Sequence, residues 1–260
     1  MVLKELYHPE KGRMRVAGLM SGSGSNLRKI IEHERNLELR EGRAPYKIVV
    51  LFSENPSSNM GRIGRDYNIP VVLRDLGFFY KKRGIPRRDL SVRAEFDEGT
   101  VEALKIFGAT VAAYAGYMSI ATNPLINAFL GINVHPADLS IADGTKRRYT
   151  GDNAVRDALL AGEKQLRSST HIIESKIDYG RILMISSPLD VNLPDGFNLN
   201  NAEQVKTVSD QHQNSLKEIG DWKIFPKTLE FIADGRYAQD EQGLLYFDGK
   251  QIPQGVRLEI

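Results

Sequence analysis

The sequence predicts an α/β protein with a Rossmann-like, doubly wound and mostly parallel sheet, followed by a part of mixed strand direction. Two observations lead to this fold class. Apolar strand-like runs alternate with amphipathic helical segments in the first half of the chain, as in parallel βαβ units. After residue 135 the alternation gives way to a hairpin-like strand pair and further helices. We expect one domain over residues 1–260, with halves of about 14–130 and 131–260.

Strands and helices follow each other regularly in the first half. Residues 46–53 form a nearly continuous apolar run, which is typical of a strand buried on both faces. Leu27, Ile30 and Ile31 recur at helical spacing after a short polar turn. The same reasoning predicts strands at 14–20, 46–53, 71–73, 110–114 and 131–135, and helices at 27–39, 59–67, 96–107 and 123–130.

The second half is less regular. A helix over 154–161 is expected to end at Gly162, because glycine is favoured just after a helix. The turn Asp178-Tyr179-Gly180 separates two apolar runs. The prediction is strands at 169–175 and 181–191, helices at 201–220 and 225–233, and turns at 234–236 and 248–250 around short C-terminal strands.

Composition narrows the class of protein. The 260 residues are 41% hydrophobic and 26% charged, with a formal net charge of +2 and no cysteine. Such a chain is expected to be globular, and its dispersed charge does not favour nucleic acid or a membrane as a partner. The absence of cysteine excludes disulfides, thiolate catalysis and Cys-based metal sites. We expect a cytoplasmic protein, a monomer or homodimer, with small-molecule substrates and no metal.

A strand end in the middle of the chain carries the first candidate site. Asn133 and His135 are two positions apart in an apolar strand, so their side chains share one face. Pro136 has no N–H to donate and ends the strand. Open α/β sheets hold their sites at such strand ends. The alternative is a buried histidine with a purely structural role.

A loop rich in glycine and serine provides the second candidate site. Residues 21–26 read Ser-Gly-Ser-Gly-Ser-Asn between a strand and a helix, without the lysine of a P-loop or the third glycine of a dinucleotide fingerprint. Backbone N–H groups at the start of a helix bind phosphate or carboxylate. The alternative is a tight turn in which Ser25 or Asn26 caps the helix.

Asp178 is the third candidate. If this turn residue lies near His135, its carboxylate should raise the pKa of the imidazole. Asn133 and a protonated His135 would then be two donors for a developing oxyanion, as acyl transfer requires. The alternative is an aspartate that only forms a turn. His171 is expected to be a packed residue or one that supports the site.

These residues carry a resemblance to a known family. From about residue 14 to the C-terminus the chain is similar to the phosphoribosylglycinamide formyltransferases of purine biosynthesis. The matching motifs are Ser21-Gly22-Ser23-Gly24-Ser25-Asn26, Ala115-Gly116-Tyr117-Met118, Ile132-Asn133-Val134-His135-Pro136, Ser169-Thr170-His171, Asp178-Tyr179-Gly180 and Phe231-Ile232-Ala233-Asp234-Gly235-Arg236.

The resemblance implies transfer of a formyl group from 10-formyltetrahydrofolate to a primary amine. It implies catalytic roles for Asn133, His135 and Asp178. It assigns the substrate phosphate to Gly24, Ser25 and Asn26 in the N-terminal half, and other substrate contacts to Glu218 and Asp221. The folate is expected on Arg93, Met118, Ser119, Ile120, Ala121, Asn133, Glu174 and Asp178. Residues of about 14–130 are expected to be the phosphate-binding half and those of about 131–260 the catalytic and folate half.

Two departures from the family leave alternatives open. Ser119 stands where the family has an arginine, and residues 140–153 form a longer loop containing Lys146-Arg147-Arg148. This loop could grip an additional anion, act as a lid, or be an ordinary solvated loop, and the basic stretch 81–88 raises the same question. The acceptor could be a different phosphorylated amine. Formylation of methionyl-tRNA would require an RNA-binding domain, and a folate- or nucleotide-binding module without catalysis would not need all three polar residues.

Overall fold

The computed structural model describes residues 2–258, which divide into two compact units. The N-terminal unit consists of Glu5–Asn133 and Leu229–Arg236. The C-terminal unit consists of Val134–Thr228 and the described residues before 5 and after 236. The division after Asn133 lies close to the predicted change near residue 130, whereas the prediction of one domain over 1–260 stays a prediction.

Strands and helices alternate through most of the first half of the chain, as predicted. The strands are β1 Lys4–Glu5, β2 Met14–Leu19, β3 Tyr46–Ser53, β4 Val71–Leu73, β5 Val111–Tyr114, β6 Leu130–His135, β7 Ala142–Asp143, β8 Lys146–Arg147, β9 Gln165–Leu166, β10 Ser169–Ile172, β11 Ile182–Ile185, β12 Leu189–Asp190, β13 Tyr237–Gln239, β14 Leu245–Phe247, β15 Lys250–Gln251 and β16 Val256–Arg257. The helices are α1 Ser25–Glu41, α2 Met60–Tyr67, α3 Leu76–Arg83, α4 Arg93–Lys105, α5 Asn123–Ala128, α6 Ala154–Leu160, α7 Ala202–Leu216 and α8 Trp222–Ala233, with a 3₁₀ turn at Pro9–Lys11 and a π turn at Lys217–Asp221.

The N-terminal unit contains a parallel sheet in the order β6-β5-β2-β3-β4. The apolar run of β3 is buried on both faces, as predicted. The strand order reverses direction at β2, whose neighbours are β3 and β5. The carboxyl ends of β2 and β5 therefore border the crevice where open α/β sheets bind their ligands.

Helix α1 fixes the geometry next to that crevice. Leu27, Ile30 and Ile31 are all buried, and each stabilises the fold by roughly 1.5–3 kcal/mol through the apolar surface it removes from water. Gly18 of β2 lets the helix approach, because a Cβ there would lie 2.4 Å from a Leu27 methyl carbon. The helix is thereby held against the strand that leads into residues 21–26.

The C-terminal unit contains strands of both directions. Strand β10 pairs antiparallel with β11, and β11 pairs parallel with β16. Helices α6 and α7 bury an apolar cluster that includes Val155, Leu159, Val208 and Leu216. With the parallel strands of the N-terminal unit, this confirms the predicted α/β class with a mostly parallel sheet and a mixed C-terminal part.

Several segments differ from the predicted elements. The strand expected over 181–191 is split into β11 and β12, with Pro188, which has no N–H to donate, between them. The helices expected to be separate are continuous through the π turn into α8, where Pro226 lies early in the helix. Helix α3 was not predicted; it is capped by Asp75, whose Oδ1 accepts the N–H of Phe78 at 2.9 Å.

Candidate functional site

The strand end predicted from the sequence is present. Strand β6 runs to His135 and carries Asn133, which is half-buried, two positions earlier. His135 is only 5% exposed, and its Nε2 lies 3.0 Å from the carbonyl oxygen of Tyr149. A carbonyl can only accept, so Nε2 is the protonated nitrogen. In the neutral imidazole the lone pair is therefore on Nδ1.

Asp178 lies beside that nitrogen. Its Oδ2 is 3.6 Å from Nδ1 of His135, and its Oδ1 is 3.5 Å from Nε2 of His171. The backbone N–H of Gly151 donates to Oδ2 at 2.7 Å. The structure thus brings His135 and Asp178 together, and His171 is a buried neighbour of the carboxylate. The catalytic roles assigned to Asn133, His135 and Asp178 stay predictions.

The charge state of the pair differs from what we expected. Burial lowers the pKa of His135, and this outweighs the opposite effect of the Asp178 carboxylate. The prediction of a raised imidazole pKa is therefore wrong, because desolvation disfavours the charged ring. Burial alone would raise the pKa of Asp178, but His171, His135 and the Gly151 N–H outweigh it and lower that pKa to about 2. At neutral pH the pair is a carboxylate beside a neutral imidazole.

Residues of the segment 140–153 contact both members of this pair. Strands β7 and β8 form an antiparallel hairpin with Gly144 and Thr145 at its turn. The guanidinium of Arg147 donates to the backbone carbonyl of Asp178 and lies 5.6 Å from the ring centre of Tyr179. Arg148 faces away, toward Asp143 at 3.7 Å and Glu163 at 3.8 Å. Sequence reasoning singled out this basic segment but not its contacts with Asp178.

The glycine-rich loop lies at the carboxyl end of β2. Helix α1 starts at Ser25, and its N-cap is Gly24, which has a left-handed backbone (φ +71°). A left-handed backbone favours glycine, and a Cβ at Gly24 would also lie 2.5 Å from the end of the Ile63 side chain. The alternative in which Ser25 or Asn26 caps the helix is therefore wrong. The phosphate site at Gly24, Ser25 and Asn26 stays a prediction.

A polar network holds the loop in place. The hydroxyl of Ser21 donates to Oε1 of Glu54 at 2.5 Å and accepts the N–H of Met118 at 2.8 Å. Ser119 donates to the same carboxylate oxygen at 2.8 Å. Glu54 follows β3 directly, so the carboxyl ends of β2, β3 and β5 are linked through one buried acid. Sequence reasoning did not identify Glu54.

The predicted folate residues of the N-terminal unit lie in different environments. Met118 is 69% exposed, and Ile120 is also exposed, whereas Ser119 and Ala121 are half-buried. Arg93 is buried; it donates to Asp97 at 3.1 Å and to the hydroxyl of Tyr117 at 2.8 Å. Sequence reasoning singled out the basic stretch 81–88 but not the contact that Arg87 makes. Its guanidinium donates to the Ser119 hydroxyl at 3.3 Å.

The remaining predicted residues belong to the C-terminal unit. Glu174 is exposed and pairs with Arg181 at 3.1 Å. Glu218 and Asp221 lie in the π turn, a helical irregularity that is frequent at functional sites. Glu218 is exposed, whereas Asp221 is buried and accepts a hydrogen bond from Ser168 at 2.6 Å.

Residues 2–258 contain neither a metal-binding cluster nor a membrane-spanning helix. Within that part of the chain, no group of three or more His, Cys, Asp or Glu side chains is arranged to hold a metal ion. Among the helices described for these residues, none is both long and apolar enough to cross a membrane.

Comparison with known proteins adds independent findings. A family model described as formyl transferase matches residues 14–191. The chain is 25% identical over 243 residues to phosphoribosylglycinamide formyltransferase of Haemophilus influenzae, covering 92% of this chain and 96% of that protein. It is 26% identical over 248 residues to the trifunctional purine biosynthetic protein adenosine-3 of Bos taurus, covering 93% of this chain. The chain spans only 20% of the length of that trifunctional relative.

Solved structures show the same fold. The phosphoribosylglycinamide formyltransferase of Coxiella burnetii, in complex with CHES, aligns with a TM-score of 0.68 and 20% identity over 95% of this chain and 100% of that chain. Glycinamide ribonucleotide transformylase 1 of Symbiobacterium toebii aligns with a TM-score of 0.64 and 23% identity over 90% of this chain and 94% of that chain.

Proposed function

Because the chain belongs to the formyl transferase family, we propose that it transfers the formyl group of 10-formyltetrahydrofolate to the primary amine of phosphoribosylglycinamide. The observation that carries this proposal is the ionised Asp178 beside a neutral His135, at the end of the strand that also holds Asn133. The names of the relatives supply the acceptor and the pathway, purine biosynthesis.

The pair supports a specific movement of protons. The acceptor amine attacks the formyl carbon, and the formyl oxygen becomes an oxyanion to which the Asn133 amide donates. Neutral His135 accepts the amine proton on Nδ1, and the imidazolium that forms is stabilised by Asp178. As the bond from the formyl carbon to N10 of the folate breaks, that proton passes to N10. In this mechanism His135 is charged only during the reaction, not before it.

The substrate contacts extend this proposal. The acceptor phosphate would lie on Gly24, Ser25 and Asn26, with Glu218 and Asp221 as further contacts. The exposed apolar side chains of Met118 and Ile120 suit the flat rings of a folate. The full folate set would be Arg93, Met118, Ser119, Ile120, Ala121, Asn133, Glu174 and Asp178. The chain would act on these small molecules in the cytoplasm, without a metal, as a monomer or homodimer.

A second candidate keeps the reaction and changes the acceptor. The hairpin β7–β8 stands next to His135, where the family has a shorter loop, so a different phosphorylated amine could be the substrate. The test is a formyl-transfer assay with the full chain, 10-formyltetrahydrofolate, and either glycinamide ribonucleotide or a panel of phosphorylated primary amines. Fast turnover of glycinamide ribonucleotide alone supports the first choice. Turnover of another amine supports the second candidate. Folate binding without turnover of any amine would indicate a folate-binding module without catalysis.

A further inference from the structure

We propose that Arg147 is a positioning residue, and that Arg147, Tyr149 and Gly151 form a brace that holds Asp178 and His135 in position. This inference rests on the proposed function, because it assigns Arg147 a role in the same reaction. It differs from an anion grip or a lid: the arginine acts on the protein's own backbone and not on a substrate.

The backbone of Asp178 has a φ of +57°, in the left-handed region that few residues other than glycine adopt, aspartate among them. Arg147 donates to the Asp178 carbonyl oxygen, and Gly151 donates to its carboxylate at 2.7 Å. Two residues of the brace thus hold the two ends of Asp178, its backbone and its side chain.

The same segment also contacts His135. The carbonyl of Tyr149 accepts from Nε2 at 3.0 Å and thereby turns Nδ1 toward Asp178. The contacting positions 147, 149 and 151 are each two residues apart. Arg148, between the first two, donates its N–H to the carbonyl of Ile141 and has its side chain near Asp143 and Glu163, with the guanidinium 5.3 Å from the ring centre of Tyr149. Because Arg148 contacts Tyr149, the control for Arg147 is Lys146, the exposed cation that precedes it in the chain.

Arg147 is already engaged within the protein. It is half-buried, burial lowers its pKa, and the titratable groups that act on it are Tyr179, Asp178 and Glu174. Lys176 lies on the same tyrosine ring, 3.2 Å from its centre. A guanidinium held in this way is suited to orient its neighbours, whereas Lys146 and Arg148 are exposed.

The charges around His135 make the two possible roles of Arg147 separable. The charged or titratable groups that act on the imidazole are Asp178, His171 and Arg147. Removing a cation that acts only through its charge would raise the His135 pKa. Removing a brace lets the Asp178 carboxylate move away, and the His135 pKa then falls. The two roles predict opposite signs.

The experiment compares Arg147→Met, Arg147→Lys and the control Lys146→Met in the full chain. We expect Arg147→Met to lower kcat at least about 10-fold, because a displacement of about 1 Å in a catalytic group can cost as much as 10²-fold. KM for both substrates should stay within about twofold. Lysine keeps one donor, so Arg147→Lys should recover part of kcat, and Lys146→Met should behave as the parent does.

The second measurement needs no activity. The pKa of His135 is read from its NMR titration in each variant, with the resonance assigned by His135→Gln. A lower pKa in Arg147→Met, with unchanged thermal stability, is expected. A higher pKa, a parental kcat, or a raised acceptor KM with kcat intact would each overturn the proposal. If the parent does not formylate glycinamide ribonucleotide, the proposed acceptor fails, while the titration still decides whether Arg147 positions the pair.

Discussion

Two loops that follow parallel strands use their backbones differently. The loop of residues 21–26 follows β2, and its geometry depends on Gly24, whose left-handed backbone starts helix α1. The segment of residues 140–153 follows β6, and its backbone contacts His135 and Asp178. The first loop starts its helix at a left-handed glycine, and we propose that this helix start binds the acceptor phosphate. The second contacts His135 and Asp178, the side chains that we propose to be catalytic.

This difference predicts where substitutions act. Changes around the segment 140–153 should affect the rate of the chemical step and its dependence on acid. Changes in the loop 21–26 should affect the binding of the acceptor. Substitutions in the reacting pair should therefore have larger effects on turnover than substitutions in the loop.

Removing either member of the His135–Asp178 pair should have the largest effect. We expect His135→Ala and Asp178→Asn each to reduce kcat by at least ~10², because each variant loses a proton acceptor or the charge that stabilises it. Far-UV circular dichroism should show a parental fold. Steady-state kinetics with both substrates measures the effect, and a near-parental kcat in either variant would remove the pair from the mechanism.

Acid should destabilise the protein through Asp178. The pKa of its carboxyl is lowered from 3.8 to about 2 in the folded state. A lowered folded pKa contributes stability above the unfolded value, and this contribution is lost as pH falls from about 3.8 to about 2. The loss corresponds to about 2 kcal/mol of the free energy of unfolding.

Urea unfolding between pH 5 and the lowest pH at which the parent folds measures this loss. Asp178→Asn should lack this part of the acid dependence. Asp143→Asn is the control, because Asp143 is exposed on the hairpin and its pair with Arg148 is screened by solvent. Equal acid dependence in the parent and in Asp178→Asn would contradict the prediction. The lowered pKa of His135 adds a loss of its own, which begins as pH falls below 6.5, the unperturbed value.

How much of this could be read from the sequence depends on the range of the interactions. The bounds of β3 and β4 were predicted correctly because apolar runs between turns are local signals. The strand ending in Asn133 and His135 was found in the same way. The contact of Arg147 with Asp178 joins residues 31 positions apart. It depends on two hairpins and a left-handed residue, none of which a local pattern specifies.

Hydrophobic spacing also misses small elements and charge states. Strands β7 and β8 have two residues each, too few to show alternation. The lowered pKa of His135 follows from burial, which the sequence suggested only through the apolar strand around it. The predicted proximity of His135 and Asp178 was correct. The charge of His135 was predicted from the effect of Asp178 alone, without the effect of burial.

The smallest effect is expected for a substitution in the loop of residues 21–26. Gly24→Ala should destabilise the fold by about 1–2 kcal/mol, because alanine disfavours a left-handed backbone. The new Cβ would also lie 2.5 Å from Ile63 and 2.7 Å from Met20, in both cases the far end of a flexible side chain that can shift. The start of α1 would move, so the acceptor KM should rise about 10-fold, with the folate KM unchanged.

Gly22→Ala is the matched control, since a Cβ at the exposed Gly22 meets nothing within 4 Å. A rise in the folate KM alone would place the phosphate elsewhere, and equal behaviour of the two variants would show that the backbone of Gly24 does not shape the acceptor site.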